Sequence, residues 1–314
     1  MILSDILAMT EDQAREHIEK IRWPNGPVCP HCKGTVAVKL QGKSTRPGLY
    51  KCKTKECRKQ FTVMVGSIFS DSHIPLKIWL AAFHLMCASK KGISAHQIHR
   101  MLGVTYKSAW FLCHRIRFAM KQEPLAGMLR GVVECDETYV GGKPRVKGQS
   151  KRGWGTSKQP VIALVERGGE IHVRPIPKVD KATLKNEIAV KVAKEAIIIS
   201  DELQGYRGLD KEYAAHETVT HGIKEYARRR ADGLVIHTNT AESFFSLLKR
   251  GHYGTFHQLS KHHLHRYCDE FAFRWKHRKT TDGERCDTAI AGAEGKRLQY
   301  KQPRDSSNSS DGLA

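Results

Sequence analysis

Gly131-Val-Val-Glu-Cys-Asp-Glu-Thr-Tyr-Val140 is rich in β-branched residues and reads as a strand, with Asp136 in its middle. A second strand candidate, Ala196-Ile-Ile-Ile-Ser200, runs straight into Asp201. Glu242 opens a helical stretch, Glu242-Ser-Phe-Phe-Ser-Leu-Leu-Lys-Arg250, with Lys249 seven residues on. Carboxylates on two strands and on one later helix can converge on a pair of divalent cations. Mg²⁺ and Mn²⁺ prefer hard oxygen ligands, and two ions ~4 Å apart activate a nucleophile and stabilise a leaving oxygen. On this reading Asp136 bridges both ions, and Asp201 and Glu242 complete one side each. Glu134 and Glu137 are alternative ligands on the first strand, and Glu202 is an alternative to Asp201. Strand alternation turns Glu137 away from Asp136 but keeps Glu134 on its face.

Outward from the acids, strands are expected at 131–140, 160–166, 170–176 and 196–200, with a polar helix at 180–194 and helices at 240–250 and 260–277. This mixed α/β order is compatible with a ribonuclease-H-like core carrying its acids at one end of the sheet. On the helix, Asn239 and Lys249 share a face with Glu242, which places Lys249 to hold a phosphate, while Phe244 and Leu248 face the core. Gly141–Ser157 reads as a flexible basic loop, and the polar stretch after about Lys301 as disordered.

The chain has 314 residues, 53 Lys and Arg against 32 Asp and Glu, and a net charge of +21. Such an excess favours a polyanionic partner, because neutralised phosphates release counterions. No run approaches the roughly 18 apolar residues that span a membrane. The first residues lack a basic stretch and turn acidic, so no signal peptide is expected. A cytoplasmic, nucleoid-associated location follows, and in a reducing compartment the nine cysteines are expected to be ligands or core residues.

Cys29-Pro-His-Cys32 and Cys52-Lys-Thr-Lys-Glu-Cys57 are two short-spaced thiolate pairs suited to a tetrahedral structural zinc. Four sulfurs fill the coordination sphere, so this Zn²⁺ folds a module and does no chemistry; His31 is not needed. Between 75 and 120 the chain is helix-rich. Ile93–Trp110 resembles a helix-turn-helix: an apolar helix ends at Leu102, Gly103 turns, and Thr105 caps a second helix. That helix offers Tyr106, Lys107 and Arg115 as candidate DNA contacts. The expected organisation is a zinc ribbon at 10–65, a helix-turn-helix-like region at 70–123, a catalytic domain at 128–280 and a basic, partly disordered tail at 281–314.

Cys29–Cys32, Glu134–Gly142, His237-Thr-Asn-Thr-Ala-Glu-Ser-Phe-Phe-Ser-Leu-Leu-Lys-Arg-Gly251 and Arg266–Arg274 together resemble bacterial insertion-sequence transposases of the DDE type with an N-terminal zinc ribbon, the ISXO-like branch. The resemblance runs from about residue 10 to residue 302. It implies a ribonuclease-H-like catalytic domain, binding to the transposon's terminal inverted repeats, Mg²⁺-dependent cleavage and strand transfer, and a homo-oligomer of at least two copies on paired DNA ends. It assigns the triad to Asp136, Asp201 and Glu242, with Asn239 the alternative third position, and it puts Asn239, Lys249 and Arg250 beside DNA. Two other classes share parts of the pattern. A structure-selective nuclease has the acids and the charge; a zinc-ribbon/helix-turn-helix transcriptional regulator leaves the acids without a role.

Overall fold

The computed structural model describes residues 1–121, 127–142 and 156–299. Helices α1 (Leu3–Ala8) and α2 (Glu11–Arg22) come first. Thr10 starts α2: its hydroxyl accepts from the Gln13 amide at 3.2 Å, and the Gln13 side chain accepts from the Thr10 amide at 2.8 Å. Strands β1 (Ala37–Lys39), β2 (Tyr50–Cys52) and β3 (Gln60–Phe61) form a small antiparallel sheet carrying the cysteines. Trp23, Tyr50 and Phe61 pack edge-to-face and stacked behind it, with centroids 5.4–5.8 Å apart.

Helices α3 (Leu76–Ala88), α4 (Ala95–Leu102) and α5 (Tyr106–Met120) follow. Ser94 caps α4, Gly103 ends it at φ +67°, and the Thr105 hydroxyl accepts from the Ser108 amide at 3.2 Å to start α5. Two helices joined by a short turn therefore stand where the sequence suggests a helix–turn–helix. Its second helix is less free than expected, for α5 buries Leu112, Cys113, Ile116 and both Arg115 and Arg117.

The larger sheet is built from β4 (Val132–Val140), β5 (Gln159–Glu166), β6 (Ile171–Pro175), β7 (Ile197–Asp201) and β8 (Ala215–Val219), with α6 (Lys181–Lys191) crossing between β6 and β7. The order is β6-β5-β4-β7-β8. β4, β5 and β6 pair antiparallel, whereas β4–β7 and β7–β8 are parallel. After the short ribbon of β9 (Arg228–Arg229) and β10 (Val235–Ile236) come α7 (Asn239–Gly251), α8 (Leu264–Lys276) and α9 (Asp282–Ala291). Helix α6 covers one face of the sheet through Leu184 and Ile188. Helices α7 and α8 cover the other, where Phe244, Leu248, Cys268 and Phe271 meet Val161, Ala163 and Val165. Phe244 and Leu248 thus face the core as expected. The fold is a mixed α/β unit with a mixed sheet, preceded by the cysteine-bearing sheet and helices.

Two expectations about organisation change. The cysteine-bearing sheet and α1–α5 are not separately packed units but share one core, which also takes in Cys286, Ala289 and Ile290 of α9. Residues from 281 therefore do not start a tail: Thr281 and Glu284 form a capping box for α9, and the Arg285 guanidinium donates to the Cys87 carbonyl at 2.8 Å. The expected disordered stretch after Lys301 and most of the expected basic loop at Gly141–Ser157 lie outside the described residues. Cys87, Cys113, Cys135, Cys268 and Cys286 are all buried. None of the helices among the described residues is long and apolar enough to cross a membrane.

The two parts are joined by charge inside the protein. Arg117 of α5 and Arg274 of α8 each donate to Glu270 at 2.6 Å, and all three side chains are almost fully buried. Two cations around one carboxylate hold Glu270 below the usual range despite its burial.

Candidate active site

Parallel pairing sets Glu134 beside Ile199. Two residues further along each strand stand Asp136 and Asp201, so both carboxylates leave the same end of the sheet on adjacent strands. Glu242 lies in the first turn of α7, which packs over β4. Asp136, Glu137 and Glu242 line one open cleft of about 780 Å³, together with Thr138, Phe245, Lys249, Arg250, Tyr253 and Lys91. Asp201 is not among the lining residues, and its carboxylate accepts from the Leu203 amide at 3.0 Å.

The acids repel one another. Burial, then Glu137, Asp201 and Glu242, push the Asp136 carboxyl up to about 8. Burial and Asp201 push Glu137 up to about 7, although the Tyr206 hydroxyl donates to it at 2.6 Å. Burial also raises Asp201, against the pull of the Leu203 amide and His221. Asp136 and Glu137, raised this far, are short of positive charge, and an all-oxygen set of this kind fits hard divalent ions. Glu137 reaches Tyr206 on the opposite face from α7, as strand alternation requires.

Glu134, weighed from sequence as a metal ligand, has another use. Its carboxylate is fully buried and accepts from the Thr240 amide at 2.7 Å, the Ala241 amide at 3.0 Å and the Thr240 hydroxyl at 2.8 Å. These are the unpaired donors at the start of α7, whose own cap residue, Thr238, makes no side-chain cap. Arg167 completes the joint: it donates to Glu134 at 2.7 Å and to the carbonyls of Val235 and His237 at 2.6 and 2.9 Å. The strand that carries Asp136 thereby fixes the helix that carries Glu242. Glu202 is likewise structural, accepting from the His221 and Gly222 amides at 2.9 and 3.1 Å. His221 in turn stands 3.4 Å from Glu242, which also accepts from the Thr238 hydroxyl at 3.2 Å. Nothing local in the sequence marks His221 or Arg167; the pairing of Glu134 with Asp136 on one strand face was the available signal for Glu134.

Lys249 and Arg250 are exposed, and both line the cleft; Asn239 is exposed on α7 and is not among the lining residues. Tyr106 and Lys107 are exposed on the first turn of α5, Tyr106 stacking on His96 with centroids 4.1 Å apart. Arg115 is a correction: it is buried, and its guanidinium donates to the carbonyls of Ser70 at 2.8 Å and Leu298 at 3.3 Å. Nine residues beyond the start of α5, the helix has turned it into the core.

The sulfurs of Cys29, Cys32, Cys52 and Cys57 all lie within 4.8 Å of one another. Each pair ends in a residue with left-handed backbone, Lys33 at φ +62° and Arg58 at φ +51°. That conformation turns the next amide toward a sulfur, and the Gly34 amide draws the Cys32 thiol down to about 6. Thiols arranged and activated in this way fit a tetrahedral zinc. Among the described residues this is the one set of three or more potential ligands drawn so close; the carboxylates stand further apart, as two ions ~4 Å apart allow.

Residues 9–60 match the transposase zinc-ribbon domain, and residues 128–276 match the ISXO2-like transposase domain. A protein of Halobacterium salinarum, described as an uncharacterized protein in transposable element ISH50, is 30% identical over 257 residues, which is 77% of this chain and 83% of that protein. The chain belongs to the ISXO2-like transposase family. It is thus an insertion-sequence transposase by family, with a zinc ribbon whose four cysteines fit zinc, and the family implies DNA as its partner. Among solved structures, the Drosophila P element transposase strand transfer complex is similar over 66% of this chain and 58% of that one, at 13% identity and a TM-score of 0.21, too slight a likeness to bear on the fold.

Proposed function

We propose that this transposase binds the terminal inverted repeats of its insertion sequence and cleaves and joins DNA there with Asp136, Asp201 and Glu242. The observation that carries this is the placement of Asp136 and Asp201 at one end of adjacent parallel strands, with Asp136 and Glu242 lining a cleft that Lys249 and Arg250 also line. The sheet order, with the Asp136 strand central and the Asp201 strand parallel beside it, supports a ribonuclease-H-like core. The four units expected from sequence remain useful as functional regions: ribbon, helix pair, acidic domain and C-terminal segment.

Asp136, Asp201 and Glu242 would hold two Mg²⁺ or Mn²⁺ ions, which when bound supply charge for activating the nucleophile and stabilising the leaving oxygen. The chain's own contributions are positional. Lys249 and Arg250 hold phosphates beside the acids. Glu134 and Arg167 fix α7, and Thr238 and His221 steady the Glu242 carboxylate. The reaction is an in-line displacement at phosphorus. Water first attacks phosphorus and breaks its bond to the 3′-oxygen, which leaves with a proton as a 3′-hydroxyl; that hydroxyl then attacks a target phosphodiester, losing its proton as the target's own 3′-oxygen leaves and takes one up. Tyr106 and Lys107 belong to the end-recognition surface, where phosphate contacts set register. Zn²⁺ is structural. Two or more copies act together on paired ends, in the cytoplasm and on the nucleoid.

Cleavage of a labelled terminal duplex by Glu242→Gln and by Asn239→Ala tests the assignment. Glu242→Gln is expected to bind the end and not cut it, and Asn239→Ala to cut it. The opposite pattern would move the third position to Asn239.

A further inference from the structure

The catalytic cleft has a wall that does not come from the acidic domain. Lys91 lines it, yet belongs to the turn between α3 and α4, ahead of the helix-turn-helix. That turn is held in place on three sides. Gly92 has φ +89°, and a Cβ there would lie 2.5 Å from the Phe256 ring. A Cβ on Gly251, at the end of α7, would lie 2.8 Å from the Lys91 carbonyl oxygen. Within the turn, the Ser89 hydroxyl donates to the Gly92 carbonyl at 2.6 Å, and at the end of α3 that leads into it Arg274 donates to the Met86 carbonyl at 3.2 Å. Backbone this closely seated leaves the Lys91 side chain as the group that projects.

Three cations therefore border the acids from two parts of the chain: Lys249 and Arg250 on α7, and Lys91 opposite the helix end. Among the described residues none of the three is paired with a carboxylate, although Asp136, Glu137 and Glu242 line the same cleft. Cations that share a cleft with acids but leave them unpaired suit a ligand that lies between them, with anionic groups repeated along its length. A DNA strand is such a ligand, with its reacting phosphate at the acids and its neighbours on the lysines.

We infer that Lys91 is a phosphate contact for the DNA strand in the catalytic cleft, supplied by the end-recognition part of the same chain. This rests on the proposed function and extends it. It gives a physical link between binding and cutting: the turn that presents Lys91 leads into α4 and α5, so a duplex docked on Tyr106 and Lys107 meets the cleft through the same rigid segment.

The test is the salt dependence of binding, by fluorescence anisotropy of the full zinc-loaded chain, with Ca²⁺ present and a duplex carrying the DNA that flanks the element. Lys91→Ala is expected to reduce the slope of log K against log salt by about 0.9, the loss of one phosphate contact. Lys91→Arg should restore it. Lys90→Ala, an exposed neighbour outside the cleft lining, should leave it unchanged, and single-turnover cutting should fall for Lys91→Ala alone. A slope and cutting rate for Lys91→Ala equal to those of Lys90→Ala would overturn the inference. Failure of the wild type to cut in Mg²⁺ or Mn²⁺ would count against the proposed function, while the slopes would still decide Lys91.

Discussion

Replacing Glu134 with alanine removes the joint between the Asp136 strand and the Glu242 helix, and its cost can be worked from the contacts. The carboxylate is fully buried, with Arg167 Nε at 2.7 Å and two helix amides at 2.7 and 3.0 Å. Removing one partner of a buried ion pair costs about 3–5 kcal/mol. The lower end applies, because Arg167 keeps the Val235 and His237 carbonyls and its side chain is 21% exposed. Loss of the helix cap adds about 1 kcal/mol, so roughly 4 kcal/mol is expected against a typical total of about 5–15 kcal/mol. Glu134→Gln keeps the shape and one acceptor oxygen, but its NH₂ must face either Arg167 or the helix amides; about 1–3 kcal/mol is expected. Urea unfolding followed by circular dichroism measures both, with zinc content as the check that the ribbon is intact. Cutting should fall in Glu134→Gln well before end binding does. A loss below about 1 kcal/mol for Glu134→Ala, or full cutting by Glu134→Gln, would refute the reasoning.

In metal-free acid sites, Asp136 sets a pH dependence of stability. Unfolded aspartate titrates near 3.9 and the folded carboxyl near 8. Its contribution is therefore complete below about pH 4 and lost as pH rises through about 8. Asp136→Asn should melt with the wild type at the acid end and above it at the alkaline end in thermal scans without Mg²⁺. Cys52→Ser should lose the bound zinc, seen by a colorimetric chelator, and the helical signal of the N-terminal core with it, since Cys52 lies in that shared core. Glu270→Ala should destabilise more than Arg117→Ala in the same urea assay. The first leaves two buried cations facing each other, whereas the second leaves Glu270 paired with Arg274.

What the sequence discloses here is local chemistry. The cysteine spacing, the strand around Asp136, the apolar run before Asp201 and the cap at Thr105 all announce themselves within a few residues, because turns and periodicity are local properties. The Thr281–Glu284 capping box is equally local and marks α9, although composition at the chain end suggests a tail. Other features depend on partners far along the chain. Glu134 meets α7 across 106 residues, and Arg115 reaches Leu298 across 183. No periodicity separates a buried arginine bonded to carbonyls from one facing DNA. Lys91 is of this kind too, an ordinary turn lysine until the fold sets it in the lining of the cleft that holds Glu242.

The measurement that bears most directly on the acidic cleft is single-turnover cutting of a labelled duplex carrying the element's own terminus, with Mg²⁺, with Mn²⁺ and with neither, by wild type and Asp136→Asn. The account predicts metal-dependent nicking at the terminus by the wild type and none by Asp136→Asn, with both binding the end equally. Nicking by Asp136→Asn at the wild-type rate, or end binding by the wild type with no nicking in either metal, would contradict it.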